Sequence, residues 1–429
     1  MRRPLSDSEA TARLIGPFAQ LVTLEGLPLK GSLRDEQLIV REAVGIRVRG
    51  SEIMEIGPFE RLAREARTEK IEIVELPGGR VGVPGFVDAH THSCFAGSRA
   101  RDYALRNSGS TYLEIAKAGG GIWDSVQQTR MAPPEVLEAL LLKRIHRFLN
   151  AGITTLEVKS GYGLSVSEEL KMLRVIRSAS EKTEMDLVST CLAAHTCPKD
   201  FQGSAPEYLK LLETELLPVL IAEGLTSRLD AFVEQSAFTP REIMPYLQKG
   251  KAVGFDLTLH ADQFTTGGSG VAITCGALSA DHLEASGPSE IQALAKSEVI
   301  ATALPGASLG LGCGFTPSRA LLDAGACLAI ASDYNPGSAP MGDLLTQAAL
   351  LGTFEKLSNA EVLAGITFRA AAALALKDRG RLVAGQKADI AVFQTDHYNE
   401  ILYHQGQLRP VQVVKNGRLH LSKADSHES

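Results

Sequence analysis

A regular alternation of strand-like and helical segments across the middle of the chain most constrains its fold. Eight short runs of apolar and β-branched residues are separated by stretches in which apolar residues recur at helical spacing. The strand-like runs span 85–92, 154–159, 186–194, 229–234, 254–260, 276–283, 299–305 and 327–333. Eight strands alternating with helices predict an α/β fold of the TIM (β/α)8 type, whose chemistry lies at the carboxyl ends of the strands.

The two ends of the chain have a different pattern. They contain short apolar or alternating runs, such as 71–76 and 389–393, which are separated by Gly and Pro and show no helical spacing between them. We therefore predict that residues 1–83 and 376–429 together form one small β-sandwich domain. Residues 84–375 are predicted to form the barrel.

Composition and charge limit which partners and which cellular location we expect for this protein. The 429 residues are 44% apolar and 22% charged, which is enough to build a large core. The net charge of −6 favours a small-molecule substrate and argues against nucleic acid or a membrane surface as a partner. We find no signal peptide, no apolar run of the ~18 residues that a membrane span needs, and no C-x-x-C pair among six cysteines. These features predict a cytoplasmic protein.

Four residues at predicted strand ends have the side chains of a metal site. His90 and His92 lie two apart in the first strand, so both imidazoles project to one side. His260 ends the fifth strand and Asp333 ends the eighth. Three imidazoles and one carboxylate suit a single Zn²⁺ or Fe²⁺, which would lower the pKa of a bound water toward about 7. His282, at the end of the sixth strand, could then move a proton or stabilise a developing oxyanion.

Longer motifs carry a resemblance to a known family. The stretch G-F-V-D-A-H-T-H (85–92), followed by L-H-A-D, D-H-L-E and S-D-Y-N-P-G, resembles the amidohydrolase superfamily, which implies a distorted barrel with a flanking β-sandwich. The stretches F-A-G-S-R (95–99), A-G-G-G-I (118–122), E-V-K-S-G-Y-G-L (157–164), A-A-H (193–195), H-A-D-Q (260–263) and D-Y-N-P-G-S-A-P (333–340) further resemble the imidazolonepropionase family. The resemblance extends from about residue 84 to residue 375.

This resemblance implies an activity and a set of residues. The activity is hydrolysis of the cyclic amide of 4-imidazolone-5-propanoate to N-formimidoyl-L-glutamate, in histidine degradation. The implied metal ligands are the four residues already identified. The implied substrate-binding residues are Arg99, Tyr112, Tyr162, His195, Asn335, Gly337 and Ser338. Arg99 suits a substrate carboxylate because a guanidinium can bind it with two parallel hydrogen bonds.

Two positions bear on the mechanism. Some members of the family have Glu where this chain has Gln263. An amide can orient a substrate but cannot exchange a proton near neutral pH, so Gln263 is predicted to be a substrate-binding residue. The proton transfers are therefore assigned to His282 and Asp333 as catalytic residues, with the general base left open. Related barrels can bridge two metals through a modified lysine, but Lys159 could equally pair with Glu157. We interpret Lys159 as structural and assign one divalent metal.

Several alternatives stay open from the sequence. Another mononuclear amidohydrolase, such as a nucleobase-type deaminase, would use the same ligands, and a more remote alternative is a non-catalytic metal-binding barrel. The glycine-rich run 309–314 is interpreted as a flexible segment at the rim of the pocket. The sequence leaves open the choice between zinc and iron, and the number of subunits, for which a homodimer is one possibility.

Overall fold

A computed structural model describes residues 12–110, 114 and 119–420. It contains two sheets. In chain order, the strands are β1 (Ala12–Val22), β2 (Val40–Arg49), β3 (Glu52–Pro58), β4 (Glu72–Glu75), β5 (Arg80–Pro84), β6 (Phe86–Asp88), β7 (Ile153–Lys159), β8 (Asp186–Ala194), β9 (Arg228–Val233), β10 (Asp256–Ala261), β11 (Ser279–His282), β12 (Ile300–Ala303), β13 (Leu328–Ile330), β14 (Ile390–Gln394), β15 (Pro410–Lys415) and β16 (Arg418–His420).

Strands β6 to β13 form the barrel. Each pairs in parallel with the next along the chain, so all eight predicted barrel strands are confirmed. The first and last strands meet through a parallel bridge between Thr91 and Tyr334. Two backbone hydrogen bonds support it: His92 N–H donates to the Tyr334 carbonyl at 2.9 Å, and Asp333 N–H donates to the His90 carbonyl at 3.1 Å. The barrel is therefore nearly closed at the end where the predicted ligands lie.

The other strands form a separate mixed sheet with the order β16-β15-β14-β5-β1-β2-β3, with β4 paired to β1. Strands from both ends of the chain meet where β14 pairs antiparallel with β5. Their shared core contains Phe18 and Ile46 from the first part, and Ile390, Val392 and Val414 from the second. The predicted second β unit, assembled from both chain ends, is thus present as one mixed sheet.

Helices fill the connections between strands. The α-helices are Phe59–Glu69, Ala100–Asn107, Ile122–Met131, Pro134–Asn150, Val166–Glu181, Ala205–Leu211, Leu217–Glu223, Pro240–Ala252, Gly268–Cys275, Pro288–Lys296, Pro305–Leu311, Ser318–Asp323, Leu344–Glu355, Asn359–Gly365, Phe368–Ala373 and Asn399–Tyr403, with one 3-10 turn at Asp35–Gln37 and one π turn at Leu212–Leu216. Leu173 and Ile176 pack into the main core with Val158 of β7, as their helical spacing predicts. No helix within the described ranges combines the length and the apolar character needed to cross a membrane.

The flanking segments contain helices that the sequence patterns did not predict. Helix Phe59–Glu69 lies between β3 and β4, and its Leu62, Ala63 and Ala66 pack on Leu14 of β1. A second, short helix, Asn399–Tyr403, lies between β14 and β15. The prediction of strands alone in these segments was therefore wrong. The buried face of the longer helix consists of Phe59, Leu62, Ala63 and Ala66, and its two alanines give a weak apolar signal in a sequence.

Candidate metal and substrate site

The residues predicted at strand ends come together at one end of the barrel. His90 and His92 follow β6, and His260 lies within the last two residues of β10. His282 ends β11, and Asp333 follows β13 by three residues. All five are at most 3% exposed. Because parallel strands point their carboxyl ends to one edge of a barrel, residues far apart in the chain become neighbours there.

Three imidazole nitrogens converge on a single point. His90 Nε2 lies 3.3 Å from His92 Nε2 and 3.2 Å from His260 Nε2, and the last two are 3.2 Å apart. Asp333 Oδ1 lies 3.5 Å from His90 Nε2 and 3.4 Å from His92 Nε2. A tetrahedral ion with metal–nitrogen bonds of about 2.0–2.1 Å holds its ligand atoms about 3.3–3.4 Å apart. Five of the distances among these four residues, called the ligand set below, are therefore close to those expected between ligand atoms of a metal ion.

Acidic residues behind the ligand set fix the orientation of two imidazoles. His90 Nδ1 lies 2.7 Å from Asp281 Oδ2, and His260 Nδ1 lies 3.0 Å from Asp230 Oδ2. When the His90 Nδ1–H donates to Asp281, the lone pair of His90 Nε2 points to the centre of the site. The contact of His260 with Asp230 is at ion-pair distance, although His260 Nδ1 makes no hydrogen bond among the described residues. Lys159, fully buried, pairs with Asp230 at 2.8 Å and with Glu157 at 2.8 Å. Lys159 thus holds acidic groups beneath the ligands.

The protonation of these groups suits metal binding. Burial lowers the pKa of His260 to about 4, although Asp230 acts in the opposite direction. Burial, together with Lys159, holds the pKa of His90 well below its ordinary value. Burial favours a raised pKa for Asp333, but its hydrogen bond to His92 and the nearby His282 keep it below the usual range. Neutral imidazoles and an ionised carboxylate are the forms that bind Zn²⁺ or Fe²⁺.

Two of the predicted catalytic residues have unusual backbone conformations. His282 has a φ of 86° and Asp333 a φ of 51°, both in the left-handed region that side chains other than glycine seldom adopt. His282 Nδ1 lies 3.4 Å from Glu284 Oε1. Asp333 Oδ2 accepts a hydrogen bond from Asn335 Nδ2 at 2.9 Å. The side chain of each of these two residues therefore contacts the side chain of the residue two positions later in the chain.

A cavity of about 160 Å³ opens directly above the ligand set. Its size suits a small ring compound rather than a polymer. Its walls are formed by His92, Arg99, Arg106, Ile122, Tyr162, His195, Phe232, His260, Gln263, Phe264, His282, Leu311, Asp333, Asn335, Gly337 and Ser338. Every substrate-binding residue implied by the resemblance lines it except Tyr112, which lies outside the described residues. His90 lies beneath the cavity.

One wall of the cavity is aromatic and neutral. His195 stacks on His92 with ring centroids 5.4 Å apart, and Tyr162 lies 5.7 Å from His195. His195 Nδ1 lies 2.9 Å from the Gly161 carbonyl, to which its N–H donates, so Nε2 is left as an acceptor. Burial lowers the pKa of His195 to about 3 and raises the pKa of Tyr162, so both side chains are uncharged at neutral pH. Such a wall suits a flat, polar ring.

Another part of the cavity wall carries the Arg99 guanidinium and the Asn335 loop. Arg99 Nε donates to Asp102 Oδ2 at 2.8 Å, which fixes the guanidinium. Beside it, Asn335 Oδ1 accepts from the backbone N–H groups of Gly337 and Ser338, both at 2.8 Å. Both ends of the Asn335 amide are therefore engaged within its own loop, and a direct contact of Asn335 with substrate stays a prediction.

Sequence patterns missed several residues of the site. Arg106, Ile122, Phe232, Phe264 and Leu311 line the cavity, and Asp230, Asp281 and Glu284 lie behind its histidines. Asp281 and Glu284 flank His282 in D-H-L-E, so the motif contained a signal for both. Asp230 had a weaker signal, as a buried carboxylate among the apolar residues Leu229 and Ala231 to Val233 of its strand.

Comparisons with solved structures agree with this fold. An adenosine deaminase of Xanthomonas campestris with bound zinc has a TM-score of 0.71 at 19% identity, covering 96% of this chain and 93% of that one. An atrazine chlorohydrolase of Arthrobacter aurescens complexed with zinc has a TM-score of 0.72 at 17% identity, covering 96% and 95%. At such low identity the likeness concerns the fold alone.

Relatives with much higher identity define the family. A family profile described as the amidohydrolase family matches residues 115–419. An imidazolonepropionase of Myxococcus xanthus is 42% identical over 402 residues, which are 92% of this chain and 95% of that protein. An imidazolonepropionase of Symbiobacterium thermophilum is 39% identical over 415 residues, 95% and 96% of the two chains. The chain therefore belongs to the imidazolonepropionase family of the amidohydrolases.

Proposed function

We propose that this hydrolase opens the ring of 4-imidazolone-5-propanoate to give N-formimidoyl-L-glutamate, a step of histidine degradation. The observation that carries the proposal is the cavity, in which a guanidinium and a metal ligand set line the same small space. The substrate has the matching parts, a planar cyclic amide and a carboxylate. The names of the close relatives support the same substrate.

The ligand set would hold one divalent ion, Zn²⁺ or Fe²⁺, through His90, His92, His260 and Asp333. When bound, such an ion lowers the pKa of a coordinated water toward about 7 and polarises a carbonyl oxygen. Two solved structures with the same fold contain zinc, which supports a metal of this kind.

The remaining residues bind the substrate and move protons. Arg99 holds the carboxylate, while Tyr162 and His195 pack against the ring and Gln263 orients it by hydrogen bonding. In hydrolysis the carbonyl carbon gains the oxygen of water, the ring C–N bond breaks, and the leaving nitrogen takes a proton. These groups fix the ring so that the C–N bond faces His282 and Asp333.

The surroundings of His282 and Asp333 support their role in transferring that proton. Burial lowers the pKa of His282, but Glu284, Asp333 and Asp281 outweigh it, so the pKa lies above its ordinary value. Asp333 Oδ2 faces Asn335, whereas Oδ1 faces the histidines. We assign His282 to donate the proton to the leaving nitrogen, and Asp333 to accept a proton from the attacking water.

An assay with a chelator tests the proposal. Purified protein should convert 4-imidazolone-5-propanoate to N-formimidoyl-L-glutamate without releasing ammonia. Chelation should abolish turnover, added Zn²⁺ or Fe²⁺ should restore it, and metal analysis should give one ion per chain. Ammonia release would favour a deaminase instead, and metal binding without turnover of either substrate class would indicate a non-catalytic barrel.

Removing one ligand provides a second test. His260→Ala should lower both metal content and kcat by more than about 100-fold. Loss of a residue that only hydrogen-bonds a metal ligand usually lowers metal affinity or activity by about 10- to 100-fold, so the larger effect would indicate loss of a ligand itself. His146→Ala is the matched control because this histidine is exposed on helix Pro134–Asn150. Substantial turnover by the His260 variant would contradict the metal assignment.

A further inference from the structure

Two guanidinium groups reach the cavity from one short helix. Arg99 immediately precedes helix Ala100–Asn107, and Arg106 lies in its last turn. Seven residues correspond to almost two helical turns, so the two side chains lie on the same face. Both line the cavity above the ligand set. Only Arg99 was expected there from the family motif.

The charge of Arg99 is already balanced within the protein. Its Nε donates to Asp102 Oδ2 at 2.8 Å, and the two side chains are 12% and 6% exposed. The same carboxylate oxygen accepts the backbone N–H of Gly121 at 2.8 Å. Arg99 and Asp102 thus form a rigid pair whose net charge is zero. Such a pair can orient a carboxylate, but it adds little net attraction for one.

Arg106 differs from Arg99 in having no acidic partner among the residues that the structure describes. Its Nη2 is buried and makes no hydrogen bond there. Its guanidinium carbon lies 6.0 Å from the ring centre of Tyr103, at the outer limit of a cation–π contact. A buried donor on a charged group is costly to leave unpaired. An anionic group bound in the cavity that Arg106 lines would accept a hydrogen bond from this donor.

We propose that Arg106 supplies the net positive charge that selects an anionic substrate, and that Arg99 sets the angle at which the carboxylate binds. With Asp102 neutralising Arg99, Arg106 contributes one unbalanced positive charge among the described residues that line this end of the cavity, and this charge equals the single negative charge of a propanoate. The inference rests on the proposed function and specifies how the same site recognises its substrate.

Paired substrates test this proposal in the metal-loaded enzyme. The first is 4-imidazolone-5-propanoate and the second is its uncharged propanamide. The wild type should prefer the carboxylate in kcat/KM by at least about 10- to 100-fold, the range expected of a charged hydrogen bond. Arg106→Gln should lose most of that preference through a higher KM for the carboxylate, with turnover of the amide within about twofold of wild type.

Further variants separate charge from shape. Arg106→Lys keeps the charge and should retain a clear part of the preference. Arg101→Gln is the matched control, because Arg101 is exposed on the same helix, and it should leave the preference unchanged. A carboxylate preference in Arg106→Gln equal to that of the wild type would overturn the proposal.

A binding measurement separates this inference from the proposed reaction. Calorimetric titration with imidazole-4-propanoate and imidazole-4-propanamide, which contain no amide in the ring to hydrolyse, should show the same loss of preference in Arg106→Gln. If the wild type binds the carboxylate through Arg106 but does not hydrolyse the imidazolone, the proposed function fails and the role of Arg106 stands. Equal binding of the two analogues by the wild type would overturn the role of Arg106.

Discussion

The position of Arg99 depends on a residue that has no side chain. A Cβ atom at Gly337 would lie 2.3 Å from Arg99 Nη1 and 3.0 Å from its Cζ. The φ of Gly337 is not in the left-handed region, so the conflict would be with neighbouring side chains, chiefly the guanidinium and, less closely, Asn335 Oδ1 at 3.3 Å. The turn begun by Asn335 thus leaves just enough space for the guanidinium that we propose to bind the substrate carboxylate.

Gly337→Ala should therefore impair substrate binding more than folding. Because the guanidinium must move, we expect KM to rise about tenfold or more, with kcat within about threefold of wild type, as for loss of a charged hydrogen bond. Steady-state kinetics and a thermal melt measure the two effects. Gly270→Ala is the control, because no atom lies within 4 Å of the added Cβ. Unchanged KM in Gly337→Ala would show that Arg99 does not need this space.

At the scale of elements, helix Pro305–Leu311 packs its backbone directly against the loop that carries Asp333. A Cβ at Gly306 would lie 2.3 Å from the Ser332 carbonyl oxygen, and one at Gly310 would lie 1.5 Å from the Ser338 carbonyl oxygen. The interpretation of residues 309–314 as a flexible rim segment was wrong for its first three residues, which are helical. Glycines give a weak helix signal in a sequence, because the contact that favours them is tertiary.

Gly310→Ala should disturb the active site through this contact. Backbone cannot move aside as a guanidinium can, so the helix and the Asp333 loop must separate. We expect kcat to fall at least about tenfold and the free energy of unfolding to fall by about 1–3 kcal/mol, as for overpacking. Gly314→Ala, which meets no atom within 4 Å, is the control for kinetics and denaturant melts. Wild-type kcat in Gly310→Ala would mean that the loop does not depend on the helix.

At the scale of the whole molecule, one carboxylate links the barrel to the C-terminal part of the chain. Asp186 lies at the start of β8, at the opposite end of the barrel from the ligand set. Its Oδ2 contacts Arg379 Nη1 at 2.5 Å, Lys387 Nζ at 2.7 Å and Lys415 Nζ at 2.9 Å. Burial favours a raised pKa, but these three cations hold the pKa of Asp186 well below its usual range.

This pKa predicts how stability depends on pH. In the unfolded chain Asp186 is protonated near a pKa of about 3.9, whereas in the folded chain its pKa is lower. The contribution of Asp186 to the free energy of unfolding is therefore complete above the unfolded pKa and is lost as pH falls toward the folded pKa. Asp186→Asn should lower the free energy of unfolding by about 1–3 kcal/mol at pH 7, a range that allows for a side chain 31% exposed. The difference from wild type should shrink between about pH 5 and pH 2.

Denaturant melts across this pH range measure that difference. Asp396→Asn, at an exposed aspartate of the C-terminal part, is the control and should change stability little at any pH. A deficit in Asp186→Asn that stayed constant down to pH 2 would contradict the role assigned to the three cations.

Much of this architecture could be predicted from the sequence. The barrel strands were predictable because strands have a short periodic signal. The convergence of the four residues of the ligand set was also predictable, because residues such as His260 and Asp333 fall at or just beyond the strand ends. The acidic groups behind the ligands and the second guanidinium, Arg106, were not. Their roles depend on which side chains face each other across neighbouring strands and loops, and spacing along one segment does not contain that information.

Because of the bridge between Thr91 and Tyr334, the proposed metal site should form only when the barrel has closed. The bridge joins the segment that carries His90 and His92 to the one that carries Asp333, which lies more than half the chain away. A nascent or truncated chain that ends before Asp333 has an open barrel edge and an incomplete ligand set. During refolding, tight metal binding should therefore appear only in molecules whose last strand has docked. The amount of metal bound, measured with an ion-sensitive dye, would then report the fraction of correctly folded chains.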